Sequence, residues 1–257
     1  MRTPLLILSA IIVLTISSCS KSDNPANLSA RIKTYSETVT SNVIGNSADS
    51  FLLSYNSDGQ LVSMSSIPHP PAKIAYVYGA NDFKMTITGY DNTNLYETVF
   101  LKGSLIDSTF QYDDDGGSAD TTTEKYFYNG NNQLFQLNTY YYYFGNSELD
   151  KSEYYVYDAA GNVIKDSTAG GQVITYEYYL DKTLGVDVSN LFNPFFASFK
   201  SLNLVKSKTT KDSYSDEVVI SNSTYTFDAN NRVETETQTI TENGNPAGTA
   251  IRRFTYY

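Results

Sequence analysis

The densest group of acidic residues in the chain begins at Asp113. Asp113, Asp115 and Glu124 fall at positions one, three and twelve of a calcium-binding loop, the spacing at which carboxylates surround the ion. Gly117 and Ser118, however, occupy the positions where that loop needs a further ligand and its turn glycine, and the flanking residues are typical of strands. The pattern therefore favours a solvated acidic hairpin tip over a calcium site, and we predict no metal and no other cofactor.

Catalysis that depends on histidine has little support in this sequence. His69 is the only histidine, and it lies between prolines in an extended loop that is poorly suited to hold a base against a nucleophile. Two carboxylates at the right separation would be enough for glycoside hydrolysis, and Glu153 and Glu177 are acids beside tyrosines, but sequence spacing gives no distance between them. We therefore predict that the protein is not an enzyme, and we keep a carboxylate-dependent glycoside hydrolase as the enzymatic alternative.

Aromatic side chains are the other residues here that could bind a ligand. The chain has 23 Tyr and 13 Phe but no Trp. Consecutive rings from Tyr140 to Phe144 would lie on both faces of a strand, and further tyrosines follow on the next apparent strand. Such rings either stack on a sugar or peptide or pack against one another. The candidate ligand-binding residues are Tyr140, Tyr141, Tyr142, Tyr143, Tyr155 and Tyr157.

The single cysteine, Cys19, predicts attachment to a membrane through acyl chains. Residues 1–18 combine the basic Arg2 with an apolar run that is too short to span a bilayer, as is typical of a cleaved export signal. The segment from Ile16 to Cys19 resembles a bacterial lipobox, in which the cysteine is acylated and becomes the mature N-terminus. Ordinary secretory cleavage beside an incidental cysteine is the alternative. The lipobox predicts an outer-membrane lipoprotein that faces either the periplasm or the cell surface.

The charge of the mature chain limits its partners. Removing residues 1–18 deletes one basic residue and no acidic one, so 17 basic and 28 acidic residues remain and the net charge is −11. Nucleic acid is excluded as a partner because neutralising phosphates requires clustered Lys and Arg. The same acidity disfavours electrostatic adhesion to a membrane, which leaves the acyl chains as the membrane contact.

A repeated phrase specifies the elements that position these residues. The phrase is aromatic, any residue, aromatic, Asp or Asn, two variable residues, Gly or Asn, one spacer and an aliphatic. Its clearest copies are Tyr155, Tyr157, Asp158, Gly161, Val163; Tyr126, Tyr128, Asn129, Asn132, Leu134; Tyr225, Phe227, Asp228, Asn231, Val233; and Leu53, Tyr55, Asn56, Gly59, Leu61. Each copy predicts a strand that ends in a tight turn, which the Asp or Asn caps and the Gly or Asn closes with a positive φ, before a returning strand.

The intervals between copies are irregular, which predicts an all-β antiparallel meander of hairpins with unequal loops. We expect a curved sheet or an incomplete barrel, with one short helix near residues 194–202, where Pro194 follows a capping Asn193. The alternation of Thr and Glu from Val233 to Ile240 argues against a lipid-facing wall at that strand. The predicted organisation is a signal peptide (1–18), a lipid-anchored flexible tether (19–33) and a single Tyr-rich β domain (34–257).

The phrase resembles the YD or RHS-like repeat, and its combination with a lipobox resembles uncharacterised lipoproteins of Bacteroidetes that carry a domain of unknown function. The resemblance implies an antiparallel architecture, in the form of an incomplete barrel that is similar to a porin fold without crossing the membrane, and it implies no activity. We therefore expect a non-catalytic binding or adhesion module of the cell envelope whose ligand is a glycan, a peptide or a partner protein. The alternative is a structural envelope component that pairs with another protein through its strand edges.

Overall fold

The computed structural model forms one closed antiparallel β-barrel. It describes residues 31–41, 46–67, 73–88, 94–113, 121–143, 146–183, 201–215 and 217–257; for residues 113 and 143 only the backbone is described. The strands are β1 (Ile32–Ser41), β2 (Ser47–Tyr55), β3 (Leu61–Ser66), β4 (Lys73–Tyr78), β5 (Asp82–Thr88), β6 (Asn94–Lys102), β7 (Leu105–Asp113), β8 (Thr121–Tyr128), β9 (Leu134–Tyr143), β10 (Asn146–Tyr157), β11 (Val163–Thr168), β12 (Val173–Thr183), β13 (Asn203–Lys211), β14 (Val218–Phe227), β15 (Val233–Glu242) and β16 (Asn245–Tyr256).

Each strand pairs with its neighbours in sequence, so the predicted antiparallel meander is confirmed. The predicted incomplete barrel is wrong, because β16 returns to β1 and pairs with it from Ile32 opposite Tyr256 to Ser41 opposite Gly248. Phe254 on β16 lies opposite Tyr35 on β1, so the two rings meet where the first and last strands pair. Closure is a contact between the two ends of the domain, which no local pattern encodes.

The repeated phrase forms the same corner in all four clear copies. In each copy the residue that closes the turn has a positive φ, between 58° and 92°, at Gly59, Asn132, Gly161 and Asn231. The capping side chain accepts hydrogen bonds from backbone N–H groups of its own turn; Asp158 Oδ1, for example, accepts from the N–H of Asn162 at 2.8 Å. The predicted corner geometry is therefore confirmed, including the use of Asn where Gly is absent.

Tyrosine hydroxyls join neighbouring hairpins. Tyr157, the second aromatic of one copy, and three further tyrosines on other strands each donate a hydrogen bond to the backbone carbonyl of an aliphatic residue that begins a strand. The pairs are Tyr78 to Leu61 at 2.7 Å, Tyr157 to Leu134 at 2.8 Å, Tyr178 to Val163 at 2.5 Å and Tyr256 to Val233 at 2.7 Å. These bonds span 15 to 23 residues of sequence, so they stabilise contacts between hairpins.

The corners gather at one end of the barrel, which we call the corner end. Arg31 and Tyr257 also lie there, and the N–H of Tyr257 donates to the carbonyl of Arg31 at 3.1 Å. Buried apolar side chains line the inner wall near this end; they include Leu53, Leu61, Phe83, Leu134, Val163 and Leu204. The chain therefore enters the barrel at the end where its apolar core is packed.

Several sequence predictions lie outside the described residues. Residues 1–30, which include the signal peptide, Cys19 and most of the tether, are not described, and neither is His69. The predicted helix near 194–202 falls there too, apart from Ser201 and Leu202, which are not helical, and the described part of the chain contains no helix. Within the described ranges, no helix is long and apolar enough to cross a membrane.

Candidate binding surface on the outer wall

Three adjacent strands, β8, β9 and β10, present aligned rows of side chains on the outside of the barrel. The register places Phe127 opposite Gln136 and Gln136 opposite Tyr154, and the next row contains Lys125, Asn138 and Ser152. The residues between these rows, Tyr126 and Leu137, belong to the buried core, which fixes both rows on the outer wall. We call the surface formed by Phe127, Gln136, Tyr154, Lys125, Asn138 and Ser152 the trough.

Hydrogen bonds connect the polar side chains of the trough. Asn138 Oδ1 accepts from Gln136 Nε2 at 2.8 Å and from Ser152 Oγ at 2.9 Å, and Asn138 Nδ2 donates to the hydroxyl of Tyr140 at 3.3 Å. Asn138 and Ser152 are only 9% and 7% exposed although they face outwards. In the neighbouring row, Phe127 and Tyr154 lie on either side of Gln136 and remain 38% and 41% exposed. Gln136 is therefore a polar floor between two accessible rings, and the buried Asn138 holds it in place.

Rings continue across the neighbouring outer wall, in a region that we call the aromatic sector. Its members on β6 to β10 include Tyr96, Phe100, Phe110, Tyr112, Phe127, Tyr140, Tyr142 and Tyr154. Tyr96 and Tyr112 stack with ring centroids 4.9 Å apart, and Lys125 Nζ lies 5.2 Å from the centroid of the Tyr140 ring. Large exposed apolar surface of this kind marks a site of contact with a protein, a membrane or a ligand.

The opposite part of the outer wall is different in chemistry, and we call it the threonine sector. Its outward side chains on β14, β15, β16 and β1 include Thr224, Thr226, Thr235, Thr237, Thr239, Thr249, Thr255, Thr34, Ser36 and Thr38. Their inward neighbours, such as Glu236 and Phe254, are buried. The outer wall is thus divided into an aromatic part and a hydroxyl-rich part.

The inner wall carries acids that the first aromatics of the phrase hold in place. Tyr126 donates to Glu124 at 2.7 Å, and Tyr155 donates to Glu153 at 2.7 Å, while Lys151 Nζ lies 2.7 Å from the other oxygen of Glu153. Burial, together with the adjacent carboxylate, raises the pKa of both tyrosines. Each tyrosine therefore stays protonated and remains a donor to its acid.

Glu97 is the inner-wall acid whose ionisation is most perturbed. Burial raises its pKa from 4.5 to about 7, and the nearby carboxylate of Glu124 adds to the rise. No described basic side chain lies within ion-pair distance of Glu97. Its charge is consequently unfavourable in the folded barrel near neutral pH.

A second inner-wall cluster is an ion triad that joins the first strand to the last two. Arg252 donates through Nε to Glu37 at 2.6 Å and through Nη1 to Glu236 at 3.1 Å, and Ser223 and Tyr225 also donate to Glu236. Burial lowers the pKa of Arg252, but the two carboxylates outweigh it and raise the pKa overall. The triad bridges β1, β16 and β15, the strands at which the barrel closes.

The structure separates the tyrosines that the sequence grouped together. Tyr140 and Tyr142 face outwards, whereas Tyr141 faces inwards. Tyr155 lies on the inner wall and is 9% exposed, and the hydroxyl of Tyr157 donates a hydrogen bond to the carbonyl of Leu134 in the preceding hairpin. The side chain of Tyr143 is outside the described residues. Tyr140 is the one that contacts the trough. Sequence reasoning missed Phe127, although the spacer between two inward aromatics must face outwards in a strand.

The predicted metal and catalytic residues are also dispersed. Of the candidate calcium ligands, Glu124 faces the barrel interior, whereas Asp115 and the side chain of Asp113 lie outside the described residues. Among the described residues there is no group of three or more potential metal ligands. Glu153 lies on the inner wall in an ion pair, whereas Glu177 is exposed and lies 3.5 Å from Lys206. Glu153 and Glu177 therefore do not face a shared pocket.

No protein-family model matches this chain, and no curated protein does. Solved structures do match it. A porin-like protein from Bacteroides uniformis is similar with a TM-score of 0.61 at 14% identity, over 89% of this chain and 98% of that one. A porin-like protein from Bacteroides vulgatus gives a TM-score of 0.58 at 12% identity, over 88% and 98% of the two chains. At these identities the similarity establishes a shared all-β barrel fold.

Proposed function

We propose that the protein is a lipid-anchored, non-catalytic binding module of the cell envelope that engages its ligand through the aromatic sector of its outer wall. The observation that carries this proposal is the uneven outer wall, where accessible rings surround a hydrogen-bonded polar trough on one side only. A glycan, a peptide or an envelope protein would each match such a surface. The ligand is held at the wall rather than inside a catalytic cleft.

The threonine sector supports a barrel that stands in water. A barrel that crosses a bilayer needs an apolar band around its whole circumference, and the outward Thr224, Thr237 and Thr239 interrupt such a band. Acyl chains on Cys19 would then be the membrane attachment. The similarity to porin-like proteins of Bacteroides supports placing that attachment at the outer membrane.

The position of Arg31 suggests how the barrel is oriented on the membrane. Residues 19–30 would lead from the anchor to Arg31 at the corner end, and twelve residues reach at most about 40 Å. The anchor would therefore hold the corner end within about 40 Å of the membrane. The aromatic sector lies on the side of the barrel, where a ligand in the envelope can reach it.

The alternative of pairing through strand edges loses its structural basis. All sixteen described strands are hydrogen-bonded to a neighbour on both sides, so none of them offers a free edge. A contact with another protein would then use side chains of the outer wall.

A glycoside hydrolase remains a second candidate because of Glu97. A carboxyl whose pKa is about 7 can act as a general acid, and Glu124 is a nearby carboxylate, so the two types of group that this chemistry needs are present. Glu97→Gln would abolish hydrolysis of a glycan substrate if this candidate is correct. Binding without turnover by both the wild type and Glu97→Gln would support the non-catalytic proposal.

The proposal is tested with the full chain, purified in detergent and applied to glycan and peptide arrays. One variant replaces Phe110, Tyr112, Phe127 and Tyr154 with Ser, and the matched control replaces Thr224, Thr226, Thr237 and Thr239 with Ala. We expect the wild type and the control to bind the same ligands and the four-ring variant to lose them. Absence of any ligand for the wild type, or equal binding by both variants, would contradict the proposal.

A further inference from the structure

We propose that the trough is a subsite for a neutral sugar, with a pyranose ring lying between Phe127 and Tyr154 above the amide of Gln136. This inference rests on the proposed function and names its ligand class. It draws on three properties of the trough, which are the spacing of its rings, the hydrogen-bonding groups on its floor and its low charge.

The spacing of the rings suits one flat ring between them. Phe127 and Tyr154 occupy the same row two strands apart, and neighbouring strands lie about 4.8 Å apart, so their backbones are about 10 Å apart. A flat ring in van der Waals contact with both aromatic side chains needs about 8 Å, since each contact takes about 4 Å. The trough therefore has the width for a single sugar ring.

The floor offers both a donor and an acceptor to that ring. Gln136 uses one N–H to bond Asn138, and within the described part of the chain its second N–H and its Oε1 have no partner. Asn138 is itself held by Ser152 and Tyr140, so the amide of Gln136 has a fixed position before any ligand arrives. Adjacent sugar hydroxyls both donate and accept hydrogen bonds, which matches a single amide group.

The charge of the trough favours a neutral ligand over a charged one. Of its six side chains only Lys125 is charged, and the Tyr140 ring already engages that ammonium group. The trough has no carboxylate to pair with a basic peptide, and a net charge of −10 on the whole chain repels polyanions. A neutral glycan needs no carboxylate partner and is not repelled by the net negative charge.

The probes for this inference are cellohexaose and mannohexaose, with hexagalacturonate as the acidic comparison. The full chain in detergent is titrated with each probe by calorimetry, alongside Phe127→Ala/Tyr154→Ala, Gln136→Ala and the ring control Tyr214→Ala, which removes an exposed ring outside the aromatic sector. We expect at least one neutral hexasaccharide to bind. The double trough variant and Gln136→Ala should weaken its binding by about tenfold or more, or ~1.4 kcal/mol, and the ring control should not.

The possible outcomes separate this inference from the proposed function. If the trough variants bind the neutral probe as well as the wild type, while the four-ring variant loses array binding, the sugar subsite is wrong and the binding module stands. Preference for hexagalacturonate, or binding of a peptide but of neither neutral probe, also overturns the subsite alone. Circular dichroism spectra like that of the wild type show that the variants are folded.

Discussion

Replacing Glu97 tests whether burial on the inner wall desolvates this carboxyl as strongly as its raised pKa indicates. In the folded barrel the pKa of this carboxyl is about 7, against 4.5 for an unperturbed glutamate. At about 1.36 kcal/mol per pH unit, this difference corresponds to about 3 kcal/mol of free energy of unfolding. Because the folded state holds the proton more tightly, Glu97 lowers the stability of the barrel progressively as pH rises from about 4.5 to about 7.

Glu97→Gln keeps the shape of the side chain but cannot ionise. The free energies of unfolding of Glu97→Gln and the wild type should therefore be similar near pH 4, and the variant should be more stable by about 3 kcal/mol at pH 8. Urea unfolding followed by circular dichroism at a series of pH values measures the difference. The control is Glu177→Gln, whose side chain is exposed and whose stability should follow the wild type at every pH. A constant difference between Glu97→Gln and the wild type across pH would refute the argument.

Three further substitutions test the contacts that hold the barrel together. Tyr157→Phe removes the hydroxyl bonded to Leu134 and should lower the free energy of unfolding by about 1 kcal/mol, whereas Tyr214→Phe, at an exposed ring, should leave it unchanged. Gly161→Ala should lower the free energy of unfolding by about 1–2 kcal/mol, because φ is 92° at this position and a residue with a Cβ is strained there. Steric overlap does not contribute, since an added Cβ would lie 3.8 Å from its nearest neighbours. Asn132→Gly should have a much smaller effect. Arg252→Met leaves Glu236, whose side chain is 6% exposed, without its cation, and it should lower the free energy of unfolding by about 3–5 kcal/mol. Arg253→Met, at an exposed position, should leave it almost unchanged.

Urea unfolding measures all three pairs, and each has an outcome that contradicts its explanation. Equal losses in the two tyrosine variants would show that the hydroxyl bond to the corner contributes nothing. A neutral Gly161→Ala would show that the corner can relax to a negative φ. Equal effects of the two arginine substitutions would show that the triad across the closing strands does not stabilise the barrel.

The turns could be predicted from the sequence because their determinants are local. Asp158 and Gly161 lie three residues apart, and their side-chain capping and backbone preferences act within one turn. The partner of the Tyr157 hydroxyl could not be predicted in the same way, since Leu134 lies 23 residues earlier. Barrel closure is harder still to predict, because fourteen strands lie between Tyr35 and Phe254 in the sequence.

The candidate surface was only partly visible in the sequence. Tyr140 was identified from its run of aromatics, but the outward direction of Phe127 and Tyr154 depends on the register of three strands. A shift of one residue would have placed these rings inside the barrel. Tyr155, identified by the same aromatic signal, faces the inner wall because it is the inward aromatic of its corner. Aromatic density therefore located the region and register decided which rings are accessible.

The central claim is that this barrel stands in water as an anchored binding module, and cysteine labelling tests it most directly. Cys19 is the only cysteine in the chain, and acylation would block it, so a cysteine introduced on the outer wall can be labelled alone. Thr224→Cys and Thr239→Cys place a thiol on exposed positions in the middle of the threonine sector. In membranes from cells that express the full chain, we predict that a membrane-impermeant maleimide labels both thiols as fast as it does in detergent solution. Protection of both thiols in the membrane, released by detergent, would show that lipid covers the wall and would contradict the account.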